Sequence, residues 1–438
     1  MRPFLKQNQL KWVGVFITTL TFLIFVFYIN DSFFGSDYSD YDQGANSIIN
    51  YSTYSTQGDI NVPDNFRPPG YSIVLAFFKI ISADYFSQII VLLQGVMFIV
   101  SYFVALKILK TLGILTNVSL VITTLVFNHP VIVYTATQLQ SDFMLFFSII
   151  LFLYFFTLSF KSSQKRKMIL YSIFFLCISI YFRPTYLYFL PLYLIFIFKL
   201  TNFKTVFYSI GALLLIVSPW IVRNKIVLDT TSFSKLGKVV LTYYAAETIR
   251  FKENVSSEKA MSIVEDYCGY KTPHYDFKTD KDNYSNMVEC STEIILNNFT
   301  SFIYASMRGF SRVFIMPHNI FKVKNASTWN VHEFITIIKS NPTRLFSKFN
   351  LLFVYLYIYP YIINIFFFCS LILFVFSFKN YLGKDKNIYF LLISFIMYSL
   401  LVPGPINRIQ YILPYFFMLT LLGIRYIENG LIYENRRE

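Results

Sequence analysis

The sequence predicts an all-α polytopic membrane protein: a bundle of about ten transmembrane helices with two helical loops on the outer face. Three observations carry that expectation. Hydrophobic residues make up 55% of the 438 and charged ones only 14%, against about 25% charged in a soluble domain, and the mean hydropathy is +0.52. Apolar runs near the ~20 residues that a helix needs to cross a bilayer recur along the chain. Between them the basic residues alternate, dense in every second short loop and sparse in the others. This composition excludes an ordinary cytosolic enzyme and a disordered chain alike, and the 4 cysteines are too few for a disulfide scaffold.

The runs fall at 11–30, 85–109, 113–133, 138–160, 168–182, 184–199, 204–222, 351–378, 387–402 and 408–427. The first follows Arg2, Lys6 and Lys11 and precedes no small-residue cleavage site, so it reads as an uncleaved signal anchor. The pair 168–182 and 184–199 is short and is divided by Arg183-Pro184. With the N-terminus inside, Lys107, Lys110, Lys161, Lys165, Arg166, Lys167, Lys199, Lys204, Lys379, Lys384, Lys386 and Arg425 all face the cytoplasm, as the positive-inside rule requires. The C-terminus returns to the same side. Nearly all of the +14 formal net charge is then topology, and no nucleic-acid partner is needed. The expectation is a multi-pass membrane protein, in contact with membrane lipids. Its segments are a signal anchor at 1–30, a first outer loop at 31–84, a six-span bundle at 85–222, a large outer helical loop at 223–350 and a three-span part at 351–438.

Nearly every acid falls outside in this scheme, and none lies near the middle of a span. Asp142 sits at an outer mouth, where it reads as a helix cap. Ion-coupled transporters keep ionisable groups at mid-membrane, so any chemistry belongs at the outer surface. The first outer loop gathers Asp31, Asp37, Asp40, Asp42 and, further on, Asp64. Such a cluster suits a general base, a metal or plain solvation. Asp37, Tyr41, Ala45 and Ile48 recur at helical spacing, which would place Asp37, Asp40 and Tyr41 on one face of an amphipathic surface helix. The apolar stretch 71–83 is short and holds Lys79, so it reads as a helix lying in the outer interface.

The segment Asp64-Asn65-Phe66-Arg67-Pro68-Pro69-Gly70-Tyr71 is stiffened by two prolines, which hold Arg67 at a defined place. A fixed guanidinium there suits a phosphate, gripped in bidentate fashion, or an ordinary lipid headgroup. Arg223, just past a span, and Arg408, at the outer start of the last one, each read as a phosphate ligand or as a helix-end anchor. Cys268 and Cys290 both fall in the large outer loop, where a disulfide can form. The histidines show no metal-ligand spacing, and there is no Walker loop or Rossmann fingerprint to support a nucleotide-sugar donor.

Asp37 with Tyr41 and Ala45 at four-residue steps, then Arg67-Pro68-Pro69-Gly70-Tyr71, resembles the first outer loop of GT-C glycosyltransferases. The nearest branch is the bacterial one similar to protein O-mannosyltransferases and aminoarabinose transferases. Ser218-Pro219-Trp220-Ile221-Val222-Arg223-Asn224 is similar to that branch's Pro-Trp-x-x-Arg-Asn signature, and Arg183-Pro184 and Gln410-Tyr411-Ile412-Leu413-Pro414 extend the resemblance. Two positions depart from it: Phe66 stands where aminoarabinose-type enzymes have an acid, and Asp40 where they have a base. These differences weigh against a family-style metal site and point to another sugar or acceptor; a divalent metal is the one cofactor left open.

The resemblance implies transfer of a sugar from a dolichyl or undecaprenyl phosphate to a hydroxyl of a glycolipid, glycan or protein, with inversion at the anomeric carbon. Asp37, with Asp40 beside it, would be the catalytic carboxylate. Tyr41, Arg67, Tyr71, Arg223 and Arg408 would bind substrate, the arginines neutralising the leaving phosphate. The competing readings are a transporter or flippase of lipid-linked glycans and an outer-face polysaccharide polymerase or ligase. The first of these calls for internal repeats and a polar mid-membrane cavity, neither of which the sequence displays.

Overall fold

A computed structural model describes residues 6–29, 32–35, 37–56, 59–269, 281–315, 386–402 and 404–406, with isolated positions between 355 and 372. The described chain is helical and forms no strand; Phe34 and Leu139 make one isolated parallel bridge. Arg408, Asp31, the part of the 223–350 loop beyond residue 315 and the span at 408–427 lie outside the described residues, as does most of 351–378.

Among the described residues, four helices are long and apolar enough to cross a membrane. The first is α1 (Gln7–Ile24) continued by a π turn (Phe25–Ile29). The others are α4 (Phe86–Leu112), α7 (Ser141–Ser159) and α10 (Phe203–Leu228); α2, α3, α5, α6, α8 and α9 fall between them and are placed below. The run at 113–133 is no single straight span. It divides into α5 (Asn117–Phe127) and α6 (Pro130–Thr137), bent by 52°. Pro130 cannot donate to the preceding turn and its ring clashes with it, so the helix restarts there, with His129 Nδ1 accepting from Val131 N at 3.3 Å.

The two runs flanking Arg183 are also short. Helix α8 (Lys165–Phe182) opens on Lys165, Arg166 and Lys167, which leaves about fifteen apolar residues, fewer than a straight crossing needs. The next run begins as a 3₁₀ turn (Pro184–Phe189) and only then becomes α9 (Leu190–Leu200). Helix α10 outlasts its apolar run: Pro219 lies inside it and it reaches Leu228, so Arg223 is within a helix and not beyond one.

The amphipathic helix after Asp37 forms as α2 (Tyr38–Tyr51), and the stretch after Pro68-Pro69 as α3 (Gly70–Ile81). At 12 residues α3 is about 18 Å long, too short to cross. Lys79 joins the two helices, 2.6 Å from an Asp42 oxygen that also accepts from the Tyr38 hydroxyl at 2.5 Å. Gly70 sets the depth of α3, since a Cβ there would stand 2.6 Å from the Tyr181 carbonyl oxygen of α8. Any side chain larger than hydrogen would push the Arg67 loop off α8.

One apolar core joins the membrane helices, from Phe22 through Phe98, Phe143, Phe152 and Tyr193 to Phe395. A second, smaller core lies in α11 (Leu236–Glu253), α12 (Ser257–Cys268), α13 (Lys281–Asn297) and α14 (Phe299–Ile315), around Ala245, Ile249, Ala260, Val264 and Ile294. A Cys268–Cys290 disulfide ties α12 to α13. The last described helix, α15 (Lys386–Leu401), leads into a short 3₁₀ turn (Gly404–Ile406).

Candidate active site

Arg67 is the centre of the site. The two prolines after it present its side chain toward α2, where Nε donates to Asp40 Oδ2 at 2.8 Å and Nη1 to Asp37 Oδ2 at 3.2 Å. Asp37 is the residue just before α2 and Asp40 lies in its first turn. Helical spacing puts both carboxylates on one face of α2, and the fold turns that face to the Arg67 guanidinium. Burial opposes the charge on Arg67, but Tyr41, Asp37 and Asp40 outweigh it and hold the group above the usual arginine range. Tyr41 lies under the guanidinium, ring centroid to Cζ 5.7 Å, a cation–π distance. Its hydroxyl shares a 2.8 Å hydrogen bond with Ser141. Burial pushes the Tyr41 phenol up to about 12, with Arg67 pulling the other way.

Asp37, Tyr41 and Arg67 open onto a cavity of ≈ 670 Å³, whereas Asp40, the other carboxylate assigned to catalysis, is not among its lining residues. Asp37, Tyr41, Arg67 and Arg183 supply its charged and polar side, and Thr230, Thr231, Ser232 and Ser234 add hydroxyls. The rest is apolar and aromatic, with Leu187, Tyr188, Leu236, Leu241, Tyr244, Tyr398 and Val402 among the lining.

Two of the residues that the sequence assigns to substrate are placed elsewhere. Tyr71 is fully buried and its hydroxyl donates to Gln94 Oε1 at 3.3 Å, with its ring edge-on to Tyr41. Arg223 points at backbone: Nη1 donates to the Asp64 carbonyl at 2.8 Å and Nη2 to the Tyr54 carbonyl at 3.2 Å. Neither lines the cavity. The Pro-Trp-x-x-Arg-Asn segment acts as a bracket. Trp220 Nε1 donates to the Phe233 carbonyl and Asn224 Nδ2 to that of Ser232, at 2.8 and 2.9 Å. It thus holds the cavity wall at 230–234 with one end and the loop leading to Arg67 with the other. Asp64, one of the clustered acids, is also structural, accepting from Thr56 N at 2.7 Å and Phe66 N at 2.9 Å.

The pair that the sequence does not reveal is Asp142 with Arg183. Arg183 Nε donates to Asp142 Oδ1 at 3.1 Å, and Nη2 donates to the same oxygen. Read singly, these residues are a helix cap and a helix-end anchor. Yet α7 begins at Ser141 and α8 ends at Phe182, so a short hairpin brings both to the same end of the bundle. Opposite charges at matching ends of consecutive apolar helices are the signal that would have found them.

No three His, Cys, Asp or Glu side chains among the described residues come together as a metal site would need. Asp37, Asp40 and Asp142 each face a cavity-lining arginine. A guanidinium stands where a divalent cation would sit beside each acid, so this donor set does not fit one.

No protein-family model matches the sequence, and no curated protein does. Among solved structures, the archaeal oligosaccharyltransferase AglB from Archaeoglobus fulgidus, in complex with an inhibitory peptide and a dolichol-phosphate, superposes on 98% of this chain with a TM-score of 0.50 and 10% identity. The fold is of GT-C type. At that identity the likeness is one of fold, and the chain spans about half of AglB, 51% of its length. ArnT from Cupriavidus metallidurans, apo and bound to undecaprenyl phosphate, also matches, over 95% of this chain and 77% of that one at 10% identity, with TM-scores of 0.39 and 0.40. Within this fold the loop between α1 and α4 carries Asp37 and Arg67, while the end of α10 carries the bracket that holds the loop leading to Arg67.

Proposed function

We propose that this chain is a membrane glycosyltransferase that moves a sugar from a polyprenyl-phosphate donor to an acceptor hydroxyl on the outer face of the membrane. The observation that carries the reading is the Asp37–Arg67–Asp40 cluster opening onto a cavity whose remaining walls are largely apolar and aromatic. A donor with a charged phosphate, a sugar and an isoprenoid tail needs such a mixture in one place. Asp37 accepts the proton of the acceptor hydroxyl as its oxygen attacks the anomeric carbon. The bond from that carbon to the phosphate oxygen breaks on the opposite face, giving inversion, and the polyprenyl phosphate leaves with the electron pair. Arg67 holds Asp37 and Asp40 in place, and Tyr41, protonated at neutral pH, supports the guanidinium from below. Tyr71 and Arg223 serve by positioning.

The outer-face assignment is supported by the sidedness of the basic loops and by the Cys268–Cys290 disulfide, a bond that persists in oxidising compartments. Lipid and glycan mass spectrometry of a deletion strain tests the reading. A sugar should vanish from one glycolipid, glycan or glycoprotein and return with the wild-type gene but not with Asp37→Asn. Unchanged profiles across all three acceptor classes would remove the transferase reading.

A further inference from the structure

Two ion pairs meet at the cavity, and they differ in what they leave for a ligand. Arg67 is 15% exposed and is shared by two carboxylates, so its group carries a net negative charge. Arg183 is 20% exposed and faces Asp142, which is 3% exposed, so that pair is neutral. The Nε and Nη2 groups of Arg183 converge on a single Asp142 oxygen. A phosphate that engaged Arg67 would have to displace Asp37 or Asp40 and then lie beside both. Arg183 imposes less repulsion, because the carboxylate bonded to it is sunk behind it at the start of α7, and Asp37 acts on that acid more weakly than Arg183 does.

The two pairs are also mechanically linked. The Tyr41 hydroxyl under Arg67 bonds Ser141, the residue before Asp142, and Gly70 seats the Arg67 loop against Tyr181, two residues before Arg183. Pro184 then starts the 3₁₀ turn that carries Thr185, Tyr186, Leu187 and Tyr188 along the cavity. Arg183 thus stands where the charged side of the cavity passes into its apolar lining.

We infer that Arg183, held by Asp142, is the residue that grips the donor phosphate, and that Arg67 is reserved for the two carboxylates. This rests on the proposed function and divides its labour. As the bond from the anomeric carbon to the phosphate oxygen breaks, negative charge grows on the phosphate and Arg183 neutralises it without giving up a proton.

The test is equilibrium binding of undecaprenyl monophosphate, with undecaprenol as the uncharged probe, to the full chain in nanodiscs. The informative variant is the double change Asp142→Asn with Arg183→Gln, which removes both buried charges together and strands neither. We expect its Kd for the phosphate to rise about tenfold to a hundredfold, as loss of a charged hydrogen-bonding partner implies, while undecaprenol binding stays unchanged. Arg183→Lys, which keeps the charge beside Asp142 but lacks the planar fork, should fall between the two. A double variant that binds the phosphate as tightly as wild type overturns the Arg183 assignment and leaves the proposed function standing. Equal losses for phosphate and undecaprenol also overturn it, by showing a structural role only. If wild type itself does not prefer the phosphate over undecaprenol, the polyprenyl-phosphate reading fails, and this inference with it.

Discussion

Arg67 and Arg223 look alike in the sequence: one stands just before a pair of prolines and the other just after a proline-tryptophan step, and each suits a phosphate. Their surroundings separate them. Arg67 meets two side-chain carboxylates at the rim of a cavity, whereas Arg223 meets two backbone carbonyls and the Trp220 ring, 4.9 Å from its Cζ. A guanidinium that ties carboxylates can orient chemistry. One that ties carbonyls fixes the path of the chain, and α10 uses it to hold the loop from Tyr54 to Arg67. The comparison teaches that an arginine's partners, more than its position in a motif, say what it does.

The comparison can be broken first at its chemical side. Asp37→Asn keeps the shape of the Arg67 cluster and removes the base, so sugar transfer should fall by ~10²- to 10⁴-fold with undecaprenyl-phosphate binding retained. Transfer that survives the change would reduce Asp37 to a partner of Arg67. The structural side is tested by Arg223→Gln, which strips donors from the Asp64 and Tyr54 carbonyls. Stability should drop by about 1.5–3 kcal/mol in thermal unfolding, while transfer per folded molecule is largely kept. A stable variant that has lost transfer would return Arg223 to the substrate.

A smaller effect sharpens the role of Tyr41. Its phenol titrates near 12 in the folded chain and near 10 when unfolded, so the folded state holds the proton more tightly. Stability is then full below pH ~10 and declines as the pH rises toward ~12. Tyr41→Phe should lack that alkaline component and should cost about 0.5–1.5 kcal/mol at neutral pH through the lost Ser141 bond. An unaltered alkaline unfolding profile would show that Tyr41 is not held as described. The smallest effect belongs to the neighbour of Arg223. Lys225 pairs with Asp229 at 2.8 Å, but both side chains are more than half exposed, and Lys225→Ala should change stability by less than about 0.5 kcal/mol. A larger loss would mean that the whole end of α10, and not Arg223 in particular, carries the bracket.

Much of the loop between α1 and α4 was legible because its signals are local. Helical spacing brought Asp37, Asp40 and Tyr41 to one face, and Pro68-Pro69 marked Arg67 as a fixed residue. The Asp142–Arg183 pair was hidden because its members are 41 residues apart and each has an ordinary role at its own helix end. The break at Pro130 was visible as a residue but not as geometry, since apolar runs report length and say little about direction.

The sequence by itself determined that this is an all-helical membrane protein, which of its loops carry the basic charge, and which short segment is rigid and acidic enough for chemistry. Those properties follow from composition and near-neighbour spacing, which water and lipid read residue by residue. Tertiary structure alone decided which arginine faces carboxylates, which faces carbonyls and which faces the cavity. A guanidinium takes its role from partners within about 3 Å, and here those partners come from segments far apart in the chain.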